Sequence, residues 1–278
     1  MNFSWLESLL LGITTGLTEI LPVSAQAHSR ILLKFMGRGA SAALLNLMIH
    51  LGILAAIYLS CQPHILKIIR AKNMSRIPKR KRKRPLDTRS LMDLSLWQTM
   101  LLPVIPALLF CRQLEGLSSN MIIMATLLFL NGLILYIPQF LPSSNKDCRS
   151  LSRVEGLLMG LGGSLFAIPG LSGVGAALSV ASVTGVERKY GFSMILLMHM
   201  GVMAGKVIYD VLDLFAEGMD GLSLMSLIIY LLSAAASFLG AFLAVKILRY
   251  LAENKGFASF AYYSWGLALF TFVLSLMA

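Results

Sequence analysis

Along most of its length the chain alternates long apolar runs with short polar ones. Runs at about 43–61, 96–112, 121–141, 192–212, 223–248 and 258–277 are each long enough to cross a bilayer as a helix, which takes about 20 apolar residues. Two further apolar stretches, at about 3–21 and 155–168, behave differently. Each runs into a proline and is followed by a second, small-residue-rich stretch, 23–36 and 171–184, too short for a full span. Either eight or more spans, or six spans and two re-entrant hairpins, fit this pattern. Broken backbone at membrane depth is tolerated only inside the protein or along a wet cavity.

The two interrupted stretches resemble each other. At a constant offset of 148, Glu7 meets Glu155, Leu9-Leu10 meet Leu157-Leu158, Gly12 meets Gly160, Leu17 meets Leu165, Ile20 meets Ile168 and Ser24 meets Ser172. Pro22 and Pro169 fall within one residue of each other in this frame. Paired, interrupted apolar segments in the two halves of a chain point to a binding site between the halves. The expected architecture is an all-α polytopic membrane protein forming a single membrane domain of 1–278. It carries an inverted-topology repeat, half one spanning about 1–141 and half two about 152–278, with two re-entrant helical hairpins.

Composition agrees. The chain has 278 residues, 57% hydrophobic and 13% charged, with a mean hydropathy of +0.76, whereas soluble domains carry about 25% charged residues. The start, Met1-Asn2-Phe3-Ser4-Trp5, has no basic region or cleavage site and reads as no removable signal peptide. Cys61, Cys111 and Cys148 are too scattered for a zinc or redox motif, and a disulfide framework is not expected.

The net charge of +11 is concentrated in one loop, 62–95: between Lys67 and Arg89 there are 11 Lys or Arg against a single acid, Asp87. In a multi-span protein this reads as a cytoplasmic loop attracted to anionic membrane lipids, not as a nucleic-acid site. With that loop inside, the chain trace leaves Lys146, Arg149, Arg153, Lys246, Arg249 and Lys255 inside, and Asp210, Asp213, Glu217 and Asp220 outside. The first hairpin then enters from the outside and the second from the inside. Arg30, Lys34 and Arg38 lie near the external side against the rule, so they are exceptions or serve an anionic ligand.

The densest polar run is Thr14, Thr15, Thr18, Glu19, Ser24, Gln26, His28, Ser29 and Arg30. A carboxylate inside a membrane segment costs about 2.5–3.5 kcal/mol on insertion scales and marks a functional site. A chain reversal at Pro22 can bring Glu19 and His28 together as acid and base, or as metal ligand and proton relay. Otherwise Glu19 pins the hairpin through the nearby threonines. His50 and His199 lie within spans, where a lone histidine is either functional or bonded to a facing helix, and His64 reads as an exposed loop residue. The glycines at 160, 162, 163, 170, 173 and 175 allow close helix approach, or expose N–H groups to a phosphate.

G-L-T-E-I-L-P-V-S-A-Q-A-H (16–28) resembles the first signature of the undecaprenyl-diphosphate phosphatase family, the bacitracin-resistance proteins, and P-G-L-S-G-V-G-A-A (169–177) its second. Further similarity runs through 49–56, 185–193 and the C-terminal spans. The resemblance implies a multi-pass bacterial inner-membrane protein that cleaves undecaprenyl diphosphate to the monophosphate carrier used in peptidoglycan synthesis. It implies Glu19, Ser24 and His28 for catalysis, with Glu19 as base or as ligand of a divalent cation, Mg or Ca. Of the residues present, Gln26, which stands where the family has a threonine, and Ser172 are left to contact the lipid diphosphate, with the Gly173 and Gly175 N–H groups beside them and Arg30 as a substitute cation. The chain departs from the family pattern where a glutamate is replaced by Thr15, a serine by Ala25, an arginine by Gly173 and a further serine by Val174. These departures open an alternative, a catalytically impaired relative that binds or translocates a polyprenyl phosphate.

Overall fold

The computed structural model describes residues 3–82, 84–141, 145–217, 223–254 and 257–276. Two hairpins and six long helices follow one another in two matching sets. Helices α1 (Trp5–Ile20) and α2 (Ala25–Phe35) form the first hairpin, followed by α3 (Ala43–Ser75), α4 (Thr88–Glu115) and α5 (Met121–Tyr136). Helices α6 (Arg153–Ser164) and α7 (Gly173–Val183) form the second, followed by α8 (Arg188–Glu217), α9 (Leu224–Asn254) and α10 (Ala258–Leu276). Among the described residues, six helices are long and apolar enough to cross a membrane, and both hairpins fall short.

The repeat is written into the helix caps. Ser4 and Ser152 each open their hairpin with a capping box, completed by Glu7 and Glu155. Such a box satisfies two otherwise orphaned backbone N–H groups. The same two glutamates then mark opposite ends of the molecule. Glu7 pairs with Arg38 at 3.1 Å and Glu155 with Lys146 at 2.6 Å. The Ser4 N–H and Arg38 hold the Glu7 carboxyl below the usual carboxylate range, and Lys146 does the same for Glu155.

Packing partners exchange between the halves. Helix α1 packs on α9, as α6 packs on α4; α3 lies against α9, as α8 lies against α4; and α3·α8 and α5·α10 pair across the centre. The approach of hairpin to span is close in both halves. A Cβ on Gly12 would sit 2.5 Å from the Ser233 carbonyl oxygen of α9, one on Gly16 would sit 2.3 Å from that of Ser237, and one on Gly160 would sit 2.2 Å from that of Met100 on α4. The Ser233 hydroxyl donates to the Ser8 carbonyl at 2.7 Å, completing a small-residue stripe of the kind that lets helix backbones meet in lipid.

One end of the molecule carries the basic loop, the Lys146 segment and Tyr190. The Tyr190 hydroxyl donates to Asp93 Oδ1 at 2.8 Å, and Asp93 Oδ2 pairs with His64 at 3.0 Å. The opposite end carries Arg38, Arg112, Asp210 and Asp213. Lys83, Asp220, Lys255 and the Glu217 side chain lie outside the described residues.

Two expectations are corrected here. The basic loop is not 62–95: α3 continues through Pro63 to Ser75, and α4 already starts at Thr88, capped by Asp87 accepting from the Ser90 N–H at 3.1 Å. A hydropathy window does not see this extension, because only one face of 62–75 is buried, through Ile68 and Ala71. His64 is accordingly a helical residue tied to buried Asp93, not a loop side chain.

Because Gly16 faces backbone, Gly16→Ala forces the α1–α9 seam apart. It is expected to cost about 1–3 kcal/mol, read as a lowered melting temperature of the detergent-solubilised protein. Gly39→Ala, whose added Cβ meets nothing within 4 Å, is the control and should leave melting unchanged.

Candidate functional site

The two hairpin breaks meet in the protein interior. After α1 the chain turns at Pro22, and Ser24 caps α2 by accepting from the Ala27 N–H at 3.3 Å. The same Ser24 hydroxyl oxygen accepts from the Gly170 N–H of the second break at 3.0 Å. Gly170 takes φ +94°, a left-handed backbone that favours glycine. Ser172 caps α7 by accepting from the Gly175 N–H at 3.1 Å, while its own N–H donates to Asn131 Oδ1 on α5 at 2.9 Å. Asn131 is fully buried and donates onward to Ser264 on α10 at 3.0 Å. The two serines related by the 148-residue offset therefore perform the same local task, and one hydroxyl also staples the breaks together.

Glu19 lies in the last turn of α1, 7% exposed. Its Oε1 accepts from the Lys206 ammonium at 2.8 Å and lies 3.4 Å from His199 Nε2. Both partners stand on α8, seven residues apart and so on one face of that helix. Lys206 Nζ also sits 5.7 Å from the centre of the Phe166 ring, in the second hairpin. Two buried polar atoms beside this pair, His199 Nε2 and Gln26 Oε1, make no hydrogen bond.

A cavity of about 210 Å³ opens from Glu19, Gln26 and Lys206 toward the Arg112 end. Its outer wall is charged but largely paired. Arg112 bridges to Asp213 and lies 5.5 Å over the Tyr209 ring, and His50 Nδ1 bonds Asp210 Oδ2 at 2.6 Å. On the inner wall Thr15 shares a 3.1 Å hydrogen bond with Ser29. Ala25 contributes a methyl group where the family pattern has a serine. A narrow gap of about 20 Å³ continues behind Glu19 to Ser172, Gly173 and His199.

The structure thus brings together Glu19, Gln26 and, across the gap, Ser172 and Gly173. It adds Lys206, His199 and Arg112, none of which was assigned to the site from sequence. Lys206 carried a legible signal, an ammonium inside an apolar span. His28 points elsewhere: Nδ1 bonds the Ser24 carbonyl at 2.6 Å, Nε2 bonds the Tyr263 hydroxyl at 2.6 Å, and the ring stacks on Tyr263. Gly175 is wedged against Pro22, and Arg30 lines a separate groove. Gly173 is packed so tightly that a Cβ there would lie 2.4 Å from the Gly163 carbonyl oxygen. An arginine is not accommodated at that position in this packing.

The residues around Glu19 do not fit a protein-built metal site. Among the described residues no three His, Cys, Asp or Glu side chains are grouped to hold an ion. The inward Glu19 oxygen is already engaged by an ammonium.

A bundle of spans enclosing two oppositely entering hairpins, with a charged cavity where their breaks meet, defines a polytopic membrane protein with an interior polar site. The Bacitracin resistance protein BacA family model matches residues 8–270, and the chain belongs to that family. It is 27% identical over 277 residues to an undecaprenyl-diphosphatase of Methanobrevibacter smithii, covering 98% of each chain. It is 25% identical over 273 residues to an undecaprenyl-diphosphatase of Halothermothrix orenii, covering 96% of each. It is 31% identical over 223 residues to one from Paenarthrobacter aurescens, covering 78% of each.

Removing one member of a buried ion pair strands the other, at a cost of about 3–5 kcal/mol, whereas replacing both can be neutral. Lys206→Met should therefore destabilise the protein strongly, and adding Glu19→Gln should recover most of the loss. Thermal melting of the single and double variants in one detergent checks this, and equal melting of the two would contradict it.

Proposed function

We propose that this protein is an undecaprenyl-diphosphatase, releasing phosphate from undecaprenyl diphosphate to regenerate the monophosphate lipid carrier of cell-wall synthesis. It would act as a multi-pass protein of the bacterial inner membrane, with the basic loop cytoplasmic and the cavity facing outward. The observation that supports the reading best is the buried Glu19–Lys206 pair with His199, placed at the family's first signature and opening into a cavity.

In the proposed reaction water attacks the terminal phosphorus. The bond from that phosphorus to the bridging oxygen breaks, yielding polyprenyl monophosphate and inorganic phosphate. Glu19 takes the proton of the attacking water, a role available to a carboxylate within one hydrogen bond of it. Lys206 and Arg112 offset the diphosphate charge, the main electrostatic task in phosphoryl transfer. The amide nitrogen of Gln26, on the cavity wall, and the Ser172 segment position the head group. Ser24 ranks below water as nucleophile because its oxygen already accepts from two backbone N–H groups. His28 serves by bracing α2 against Tyr263.

A second reading is favoured by one observation: Thr15, Ala25 and Gly173 replace family residues, and the Gly173 pocket has no room for a side chain. In that reading the protein binds or moves a polyprenyl phosphate without cleaving it.

Phosphate release from a polyprenyl diphosphate by the purified protein separates the two. The phosphatase reading expects release that falls about 10²–10⁴-fold in Glu19→Gln. Lipid binding with no release assigns the second reading instead.

A further inference from the structure

Three cations at the end opposite the basic loop have no part in the site described above. Arg30 and Lys34 lie one turn apart on the same face of α2, and Arg38 follows just past the helix end, beyond the left-handed turn at Gly37 (φ +67°). These three residues border a second, wide-open groove of about 590 Å³, whose other side is formed by Ser118, Ser119 and Asn120. Among the described residues that line it there is no Asp or Glu. The adjoining stripe of α2, Gln26, Ser29 and Leu33, borders the Glu19 cavity. Helix α2 is therefore a partition, with the Glu19 cavity on one side and a cationic groove on the other.

The cations differ in how firmly they are held. Arg38 is anchored by Glu7 and lies 4.6 Å over the Phe3 ring. Arg30 donates to the Gly39 carbonyl at 2.5 Å, which fixes its guanidinium while leaving further donors. Lys34 is exposed at the end of α2. Across the groove, Asn120 caps α5, so the positive end of a 16-residue helix faces the same space. Two independent sources of positive potential thus converge, on the side of the membrane where the positive-inside rule disfavours cations.

We infer that the groove lined by Arg30, Lys34 and Arg38 is a second anion site, binding a phosphate-bearing group beside the Glu19 cavity. The group is either free inorganic phosphate or diphosphate, or the head group of a diphosphate lipid. The chemistry of recognition is the same for both, two guanidinium groups and an ammonium with the Asn120 side-chain amide opposite. The site stands on its own lining and holds whether or not the neighbouring cavity hydrolyses.

The test uses full-length protein in detergent carrying Glu19→Gln together with Lys206→Met, which suppresses hydrolysis without stranding a buried charge. Binding of inorganic diphosphate and, separately, of a short-chain polyprenyl diphosphate is followed by ³¹P line broadening. Charge reversal in Lys34→Glu is expected to weaken binding about tenfold, and Lys34→Arg to retain it. Lys34→Gln and Arg30→Gln give smaller losses and serve if the reversal does not fold. Lys34-dependent binding of both probes identifies a general phosphate site, and dependence for the lipid probe alone identifies a head-group site; either supports the inference. Binding of both probes that is indifferent to Lys34 and Arg30 overturns it. Phosphate release by the unsubstituted protein, read in parallel, keeps the two proposals apart: absent release with Lys34-dependent binding counts against hydrolysis alone.

Discussion

A carboxylate at membrane depth has to be paired, and the pairing of Glu19 organises this molecule. Its partner, Lys206, stands on α8, 187 residues further along the chain. The contact ties the end of α1, where the chain must turn back, to a full spanning helix of the other half. It also draws in Phe166 of the second hairpin, through the Lys206 ammonium. Replacing the pair by apolar side chains would be thermodynamically acceptable. Its retention makes sense as the price of keeping charge available inside a dry bundle.

Around that pair the two halves use the same devices. Serine capping boxes open both hairpins, serine N-caps open both returning helices, and a glycine in each hairpin lies against a carbonyl of its partner span. The symmetry ends at the chemistry. The Glu19 carboxylate has no acidic counterpart in the second hairpin, where the 148-residue offset reaches Ala167. One hairpin carries the charge and the other supplies packing and the Gly170 N–H that holds Ser24. Division of labour of this kind lets a duplicated scaffold hold a single site between its halves.

The hairpins were legible because their signal is local: a proline break, small residues after it and a repeat that aligns the two. The six spans were legible because about 20 apolar residues leave few alternatives. Helix ends beyond the bilayer were not, since residues 62–75 bury only one face and average as polar. The site was half legible. Glu19 stood out by its cost, but its partners lie far along the chain, and no local pattern names them. His28 does not join Glu19, because helix α2 turns about 200° between Gln26 and His28, aiming one at the cavity and the other at Tyr263. The conflict between Arg30, Lys34 and Arg38 and the charge rule was visible in the sequence. Only the wide-open groove gives those cations a shared place.

Hydrogen exchange in lipid nanodiscs, comparing the unsubstituted protein with Lys206→Met, tests the central claim most directly. If the Glu19–Lys206 contact holds the first hairpin in place, amides of α1 and α2 around the Pro22 break lose protection in the variant while those of α5 and α10 do not. Protection of the hairpin that is unchanged by Lys206→Met would contradict the account.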